Sequence, residues 1–129
     1  MTHTELTKAV LAYMDEVSKQ HASGIAREHA YRPAQIALFN TVQDTLAVND
    51  AAKTDAGFPD FTFLRRSQTE LARGYGEGKD LGENLDKIEK SKQMVKYTAE
   101  YGNMLLTNVI EFRFYRAGAQ YRPALVIGS

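Results

Sequence analysis

The chain has no cysteine, no tryptophan, only three prolines, no net charge and no long apolar run. Without cysteine, disulfides, thiolate metal sites and cysteine nucleophiles are excluded. Without an apolar run of about 20 residues, nothing in the sequence reads as a membrane-spanning helix. The opening residues, MTHTELTKAV, lack the charged-then-apolar pattern of an export leader, so the expected location is cytoplasmic, with no membrane partner. Lysine plus arginine balance aspartate plus glutamate at 16 each, which removes the basic excess that an unaided, sequence-neutral DNA binder needs. His3, His21 and His29 are scattered and lack metal-ligand spacing. What is present is 129 residues, read as one domain (1–129) large enough to bury a core without staples.

Periodicity divides the chain into helices, strands, a helix and more strands. Residues 1–20 predict an N-terminal helix, with Thr2 and Glu5 at capping-box spacing and an apolar stripe of Leu6, Val10, Tyr13, Met14 and Val17. Pro33 fits the first turn of a second helix over about 32–46, with Ile36, Phe39, Val42 and Leu46 inward. Residues 49–57 read as a turn-rich connection. Residues 81–101 predict one polar amphipathic helix with Leu85, Ile88 and Val95 inward and i,i+4 pairs Glu83–Lys87 and Asp86–Lys90. Three strands follow, the middle one, EFRFYR, with Phe112 and Phe114 inward and Arg113 outward. That order implies an α/β or α+β sandwich built on a mixed sheet.

The segment GFPDFTFLRRSQTELARGYGEGKD (57–80) predicts a β-hairpin. With 67–70 as its loop and Arg66 opposite Leu71, Asp60 falls opposite Glu77 and Lys79 shares Glu77's face. Two facing carboxylates repel across a strand pair. A hard divalent cation offsets that repulsion, and Mg²⁺ binds through one or two carboxylates plus water and phosphate oxygens. Lys79 adds positive charge where charge builds on a phosphate. On spacing alone, the same charges also describe a solvated, salt-bridged hairpin end. Gly74, Gly76 and Gly78 leave the other face of their strand bare, and Phe61 and Phe63 lie opposite Gly76 and Gly74 as covering rings. Arg65, Arg66 and Arg73 read either as a solvated hairpin end or as phosphate contacts.

In chain order, EHAYRPA, GFPDF, GYGEGKDLGENLDKIEKSKQMVKY and LLTNVIEFRFYRAG together resemble the PD-(D/E)XK nuclease superfamily. Within it, the set is similar to the N-terminal nuclease domains of fused restriction–modification enzymes of the type IIG and type ISP kind. The match runs over 28–118, the expected catalytic core. The resemblance implies a restriction-endonuclease-like fold, a central mixed sheet flanked by helices, and a Mg²⁺-dependent DNA endonuclease, with Mn²⁺ as a substitute. It implies Asp60 and Glu77 as metal carboxylates, the Gly78 main-chain carbonyl as a further ligand, and Lys79 as the group that positions water. Glu28 matches an acidic residue beside the site, with a solvated cap as its alternative. Gln93 and Tyr97 match a glutamine-x3-tyrosine pair near the site or the DNA.

Two positions depart from the family pattern. Gly78 stands where a small or apolar residue such as alanine is common, and Gly76 stands where an apolar β-former is usual. The resemblance also implies that the chain is a piece of a longer one carrying an N6-adenine methyltransferase, helicase or specificity domains. The competing readings are a non-catalytic module that positions DNA or docks a protein, and a repair or junction nuclease.

Overall fold

The structure is a computed structural model and describes residues 2–49, 54 and 56–127. The side chain of Glu28 lies outside the described residues, as does most of the expected connection at 50–55.

The elements, in chain order, are α1 (His3–Ala22), a 3-10 turn (Glu28–Tyr31), α2 (Arg32–Phe39), β1 (Thr45–Asn49), β2 (Phe61–Arg65) and β3 (Gln68–Gly78). They continue with α3 (Leu85–Glu89), α4 (Lys92–Glu100), β4 (Asn103–Thr107), β5 (Glu111–Arg116), β6 (Ala119–Gln120) and β7 (Leu125–Val126). Among the described residues one mixed sheet runs β1-β2-β3-β4-β5-β6, and β7 also pairs with β5. β3 and β4 pair in parallel and the other neighbours are antiparallel. A parallel pair needs a crossover, and here it carries α3 and α4.

Helices cover both faces of the sheet, which produces two apolar clusters. One joins Tyr13, Val17, Tyr31 and Phe39 to Phe61, Leu105 and Phe112. The other joins Leu85, Met94 and Tyr97 to Met104, Leu106 and Tyr115. Leu105 and Leu106 are neighbours that point to opposite clusters, as strand alternation requires. Among the described residues no helix is long and apolar enough to cross a membrane.

α1 forms as expected, with Thr2 and Glu5 closing a capping box. α2 is shorter than the predicted 32–46. It stops at Phe39 because Asn40 Oδ1 takes the Ala47 N–H at 2.7 Å, folding the chain back on itself. Asp44 then adopts φ 52° and accepts both the Ser67 N–H and its hydroxyl. Residues 45–49, with β-branched Thr45 and Val48, become β1, so Leu46 lies on a strand and Val42 is exposed.

The predicted helix over 81–101 is two helices. Asn84 caps α3, Ser91 caps α4, and the break rotates the helical phase. Met94 and Tyr97 are therefore buried, whereas Val95 is exposed. Asp86 pairs with Arg113 at 2.8 Å rather than with Lys90. Arg113 does not face open solvent: α3 covers that side of β5, and Asp86, Glu89 and Glu111 surround the guanidinium at 2.8, 3.2 and 2.6 Å.

The turn after β4 ties the N-terminal helix to the sheet. Val109 is fully buried at φ 85°, a costly conformation for a β-branched residue. It is held by Thr107 Oγ1, which accepts the Val109 N–H at 3.1 Å, and by the Tyr13 hydroxyl, which donates to the Val109 carbonyl at 2.5 Å. Tyr13→Phe strands that buried carbonyl, so a loss of about 1–3 kcal/mol is expected in urea denaturation. A stability equal to wild type would show that the bond does not anchor α1.

Candidate active site

The site forms where β3 ends. The β2–β3 turn occupies 66–67 rather than the predicted 67–70. Two irregularities in β3 then shift the pairing from Arg65↔Gln68 through Leu64↔Ala72 to Phe63↔Gly74 and Phe61↔Gly76. The register at the far end of the hairpin is therefore the one expected, and it brings Asp60 to Glu77.

Main-chain amides and carboxylates knit the two residues together. The Asp60 N–H donates to Glu77 Oε1 at 3.3 Å, and the Gly78 N–H donates to Asp60 Oδ2 at 2.8 Å. Lys79 Nζ stands 3.6 Å from Glu77 Oε2. The Lys79 N–H donates to the Thr107 carbonyl at 2.8 Å, which fixes the residue just past the parallel pair. Glu77 is only 5% exposed, a degree of burial uncommon for glutamate. Burial, and secondly the charge of Asp60, pushes its carboxyl up to about 7, with Lys79 pulling the other way.

Tyr97 reaches the same place from α4. Its hydroxyl accepts from Gln93 Nε2 at 3.1 Å, and burial, followed by the charge of Glu77, pushes the phenol up to about 12. Gly57 makes room for it: a Cβ there would lie 3.3 Å from the Tyr97 oxygen, and φ 133° suits glycine.

A residue not singled out from the sequence completes the site. Arg32 opens α2, and its side chain is 2% exposed. Nη2 lies 3.0 Å from Asp60 Oδ1, and Nη1 donates to Asn49 Oδ1 at 3.0 Å. The guanidinium carbon sits 5.1 Å from the centre of the Phe61 ring. The side chain fits because Gly78 carries none: a Cβ there would lie 3.3 Å from Phe61 and 3.5 Å from Arg32 Nε. The signal was legible, since a cation in the first turn of a helix opposes the helix dipole and so answers another demand.

The structure thus brings together Asp60, Glu77, Gly78, Lys79, Gln93 and Tyr97. The predicted part of Glu28 rests on a side chain outside the described residues. Among the described residues no three His, Cys, Asp or Glu side chains gather as a metal cage. The available donors are two carboxylates and a neighbouring main-chain carbonyl, an all-oxygen set of the kind hard cations take, with water completing the shell.

No family model and no curated protein matches the chain. Among solved structures, the cryo-EM structure of a DrdV–DNA complex contains a chain that is 22% identical, with a TM-score of 0.75. The match covers 95% of the present chain and 12% of that one, so this chain spans a small part of the length of its structural neighbour. The likeness shows the fold: a restriction-endonuclease-like α+β architecture with a central mixed sheet flanked by helices.

The Glu77 proton has a consequence for stability. The folded protein holds it more tightly than the unfolded chain, whose carboxyl titrates near 4.5. Its stabilising effect is therefore full below about pH 4.5 and is lost as pH rises through about 7. Urea melts of metal-free protein across that window are expected to show falling stability, and Glu77→Gln is expected to flatten the decline. An unchanged slope in the variant would contradict the assignment.

Proposed function

We propose that the chain is a Mg²⁺-dependent DNA endonuclease domain that hydrolyses phosphodiester bonds, the cleavage module of a restriction–modification enzyme. The observation that carries this reading is Glu77, an almost fully buried acid facing a second acid, Asp60, with Lys79 3.6 Å away, where β3 ends. A buried acid beside a second, partly exposed acid is a costly arrangement, and a cation-binding role accounts for it. The fold shared with a chain of a DrdV–DNA complex supports the same reading.

Asp60, Glu77 and the Gly78 carbonyl would hold the cation, with Mn²⁺ as a substitute. When bound, the cation supplies polarisation of the scissile phosphate and acidification of a water. Lys79 neutralises charge that builds on the phosphate as water attacks. Tyr97, buried and held by Gln93, walls the site on the α4 side. The balanced charge of the chain leaves little electrostatic affinity for DNA, so target recognition belongs to methyltransferase or specificity domains of a longer protein. Glu28 is kept in the proposal as an additional acid near the site.

One observation favours the alternative of a non-catalytic DNA-positioning or docking module on the same fold. Asp60 already has a cation against Oδ1, in Arg32. Plasmid cleavage separates the two. Nicking or linearisation that requires Mg²⁺ or Mn²⁺, and that falls about 100-fold or more in both Asp60→Ala and Lys79→Ala, is expected of the nuclease. Wild-type protein that leaves the plasmid intact and binds neither metal in calorimetry would be the docking module instead.

A further inference from the structure

Arg32 is buried, charged and in contact with a proposed metal ligand, and none of the chemistry above uses it. Its guanidinium is clamped by Asn49 on one side and Asp60 on the other, at 3.0 Å each, and lies against Phe61. Lys79, by contrast, is 22% exposed and hangs from the strand end. Each carboxylate thus has its own cation, one almost fully buried and one partly exposed.

The packing beneath Arg32 is unusual. Arg32 Nε and Gln35 Oε1 are both buried with no hydrogen-bond partner. Both lie over the bare backbone of Gly78, 3.5 and 3.7 Å from where a Cβ would stand. The Nη2 contact with Asp60 is an ion pair without the alignment of a hydrogen bond. A fold that maximised stability would not bury a guanidinium with two of its donors unaligned. Such a cost is found where a site needs it.

Resting on the nuclease reading of this site, we infer that Arg32 is a positioning residue with two opposed effects. It holds the Asp60 carboxylate opposite Glu77 in the absence of a metal, and its charge weakens the binding of the cation that Asp60 receives. The two carboxylates stay in place despite their repulsion, and the cation enters a prearranged site against a fixed positive charge.

The test combines Mn²⁺ calorimetry with steady-state DNA cleavage at saturating Mg²⁺. Arg32→Gln is expected to bind Mn²⁺ about tenfold more tightly, because a repelling charge is gone. Its kcat is expected to fall about 10–100-fold with KM for DNA unchanged, because Asp60 is no longer held. A merely structural arginine would not give tighter metal binding together with slower chemistry. Arg32→Lys keeps the charge but cannot span Asn49 and Asp60, so it binds Mn²⁺ as wild type does and recovers part of kcat. Asn49→Ala loosens the clamp from outside the site and lowers kcat without changing Mn²⁺ affinity. It carries the test if Arg32→Gln does not fold.

Variants that bind Mn²⁺ and cleave as wild type does overturn the inference. So does Arg32→Gln that folds and binds Mn²⁺ more weakly. In both cases the nuclease reading survives, whereas wild-type protein that binds no Mn²⁺ overturns both.

Discussion

Two carboxylates stand together where two adjacent strands meet, one just before β2 and one near the end of β3, and hydrogen bonds and two cations hold them there. Left to themselves, Asp60 and Glu77 repel. Each is instead tied into the other's backbone: Glu77 takes the Asp60 amide, and Asp60 takes the amide of the residue after Glu77. Arg32 and Lys79 supply opposite charge, one from a helix and one from the strand itself. Burial raises the proton affinity of Glu77, so near neutral pH the repulsion is relieved by protonation or by a cation. The parallel β3–β4 pair sets the height of this arrangement, because Lys79 is bonded to Thr107 directly beyond it.

The glycines of β3 have a structural purpose that their low strand propensity conceals. A Cβ on Gly76 would come within 3.1–3.3 Å of the Phe61 and Phe63 rings, and one on Gly78 would press on Phe61. At Gly74 it would meet the Asn103 carbonyl at 2.9 Å. The strand is thin so that rings and a guanidinium can lie against its backbone. Phe39 meets both Phe61 and Phe63 edge-on, joining α2 to this covered surface. The rigidity that glycine removes from the strand is returned by what packs on it.

Much of this was legible in the sequence. Strand alternation placed Glu77 and Lys79 on one face and the glycines on the other, and helical spacing placed Gln93 beside Tyr97. The readings that failed share a physical cause, which is that local pattern does not report tertiary contacts. The helix expected to reach residue 46 lost its last turns to Asn40 and Asp44, whose side chains bond to backbone 7 and 23 residues away. Val95 was placed inward by a single helical phase that Ser91 interrupts. Arg113 was expected in solvent because nothing local announced that α3 would cover it. The first-turn position of Arg32 hints at a further demand, but the partners that define it lie 17 and 28 positions further along the chain. The role given to Glu28 was carried by resemblance alone.

The uneven pairing along the β2–β3 ribbon separates its two ends mechanically. Four residues of slack accumulate in β3 between Gln68 and Gly74, where neighbours on β2 are consecutive. The distal tip is pinned independently, by Asp44 gripping Ser67 and by Arg73 bonding back to the same corner. Length changes at the tip are therefore absorbed before they reach the glycine-lined portion. Inserted residues can be accommodated there, while the acid pair stays in step with its neighbours.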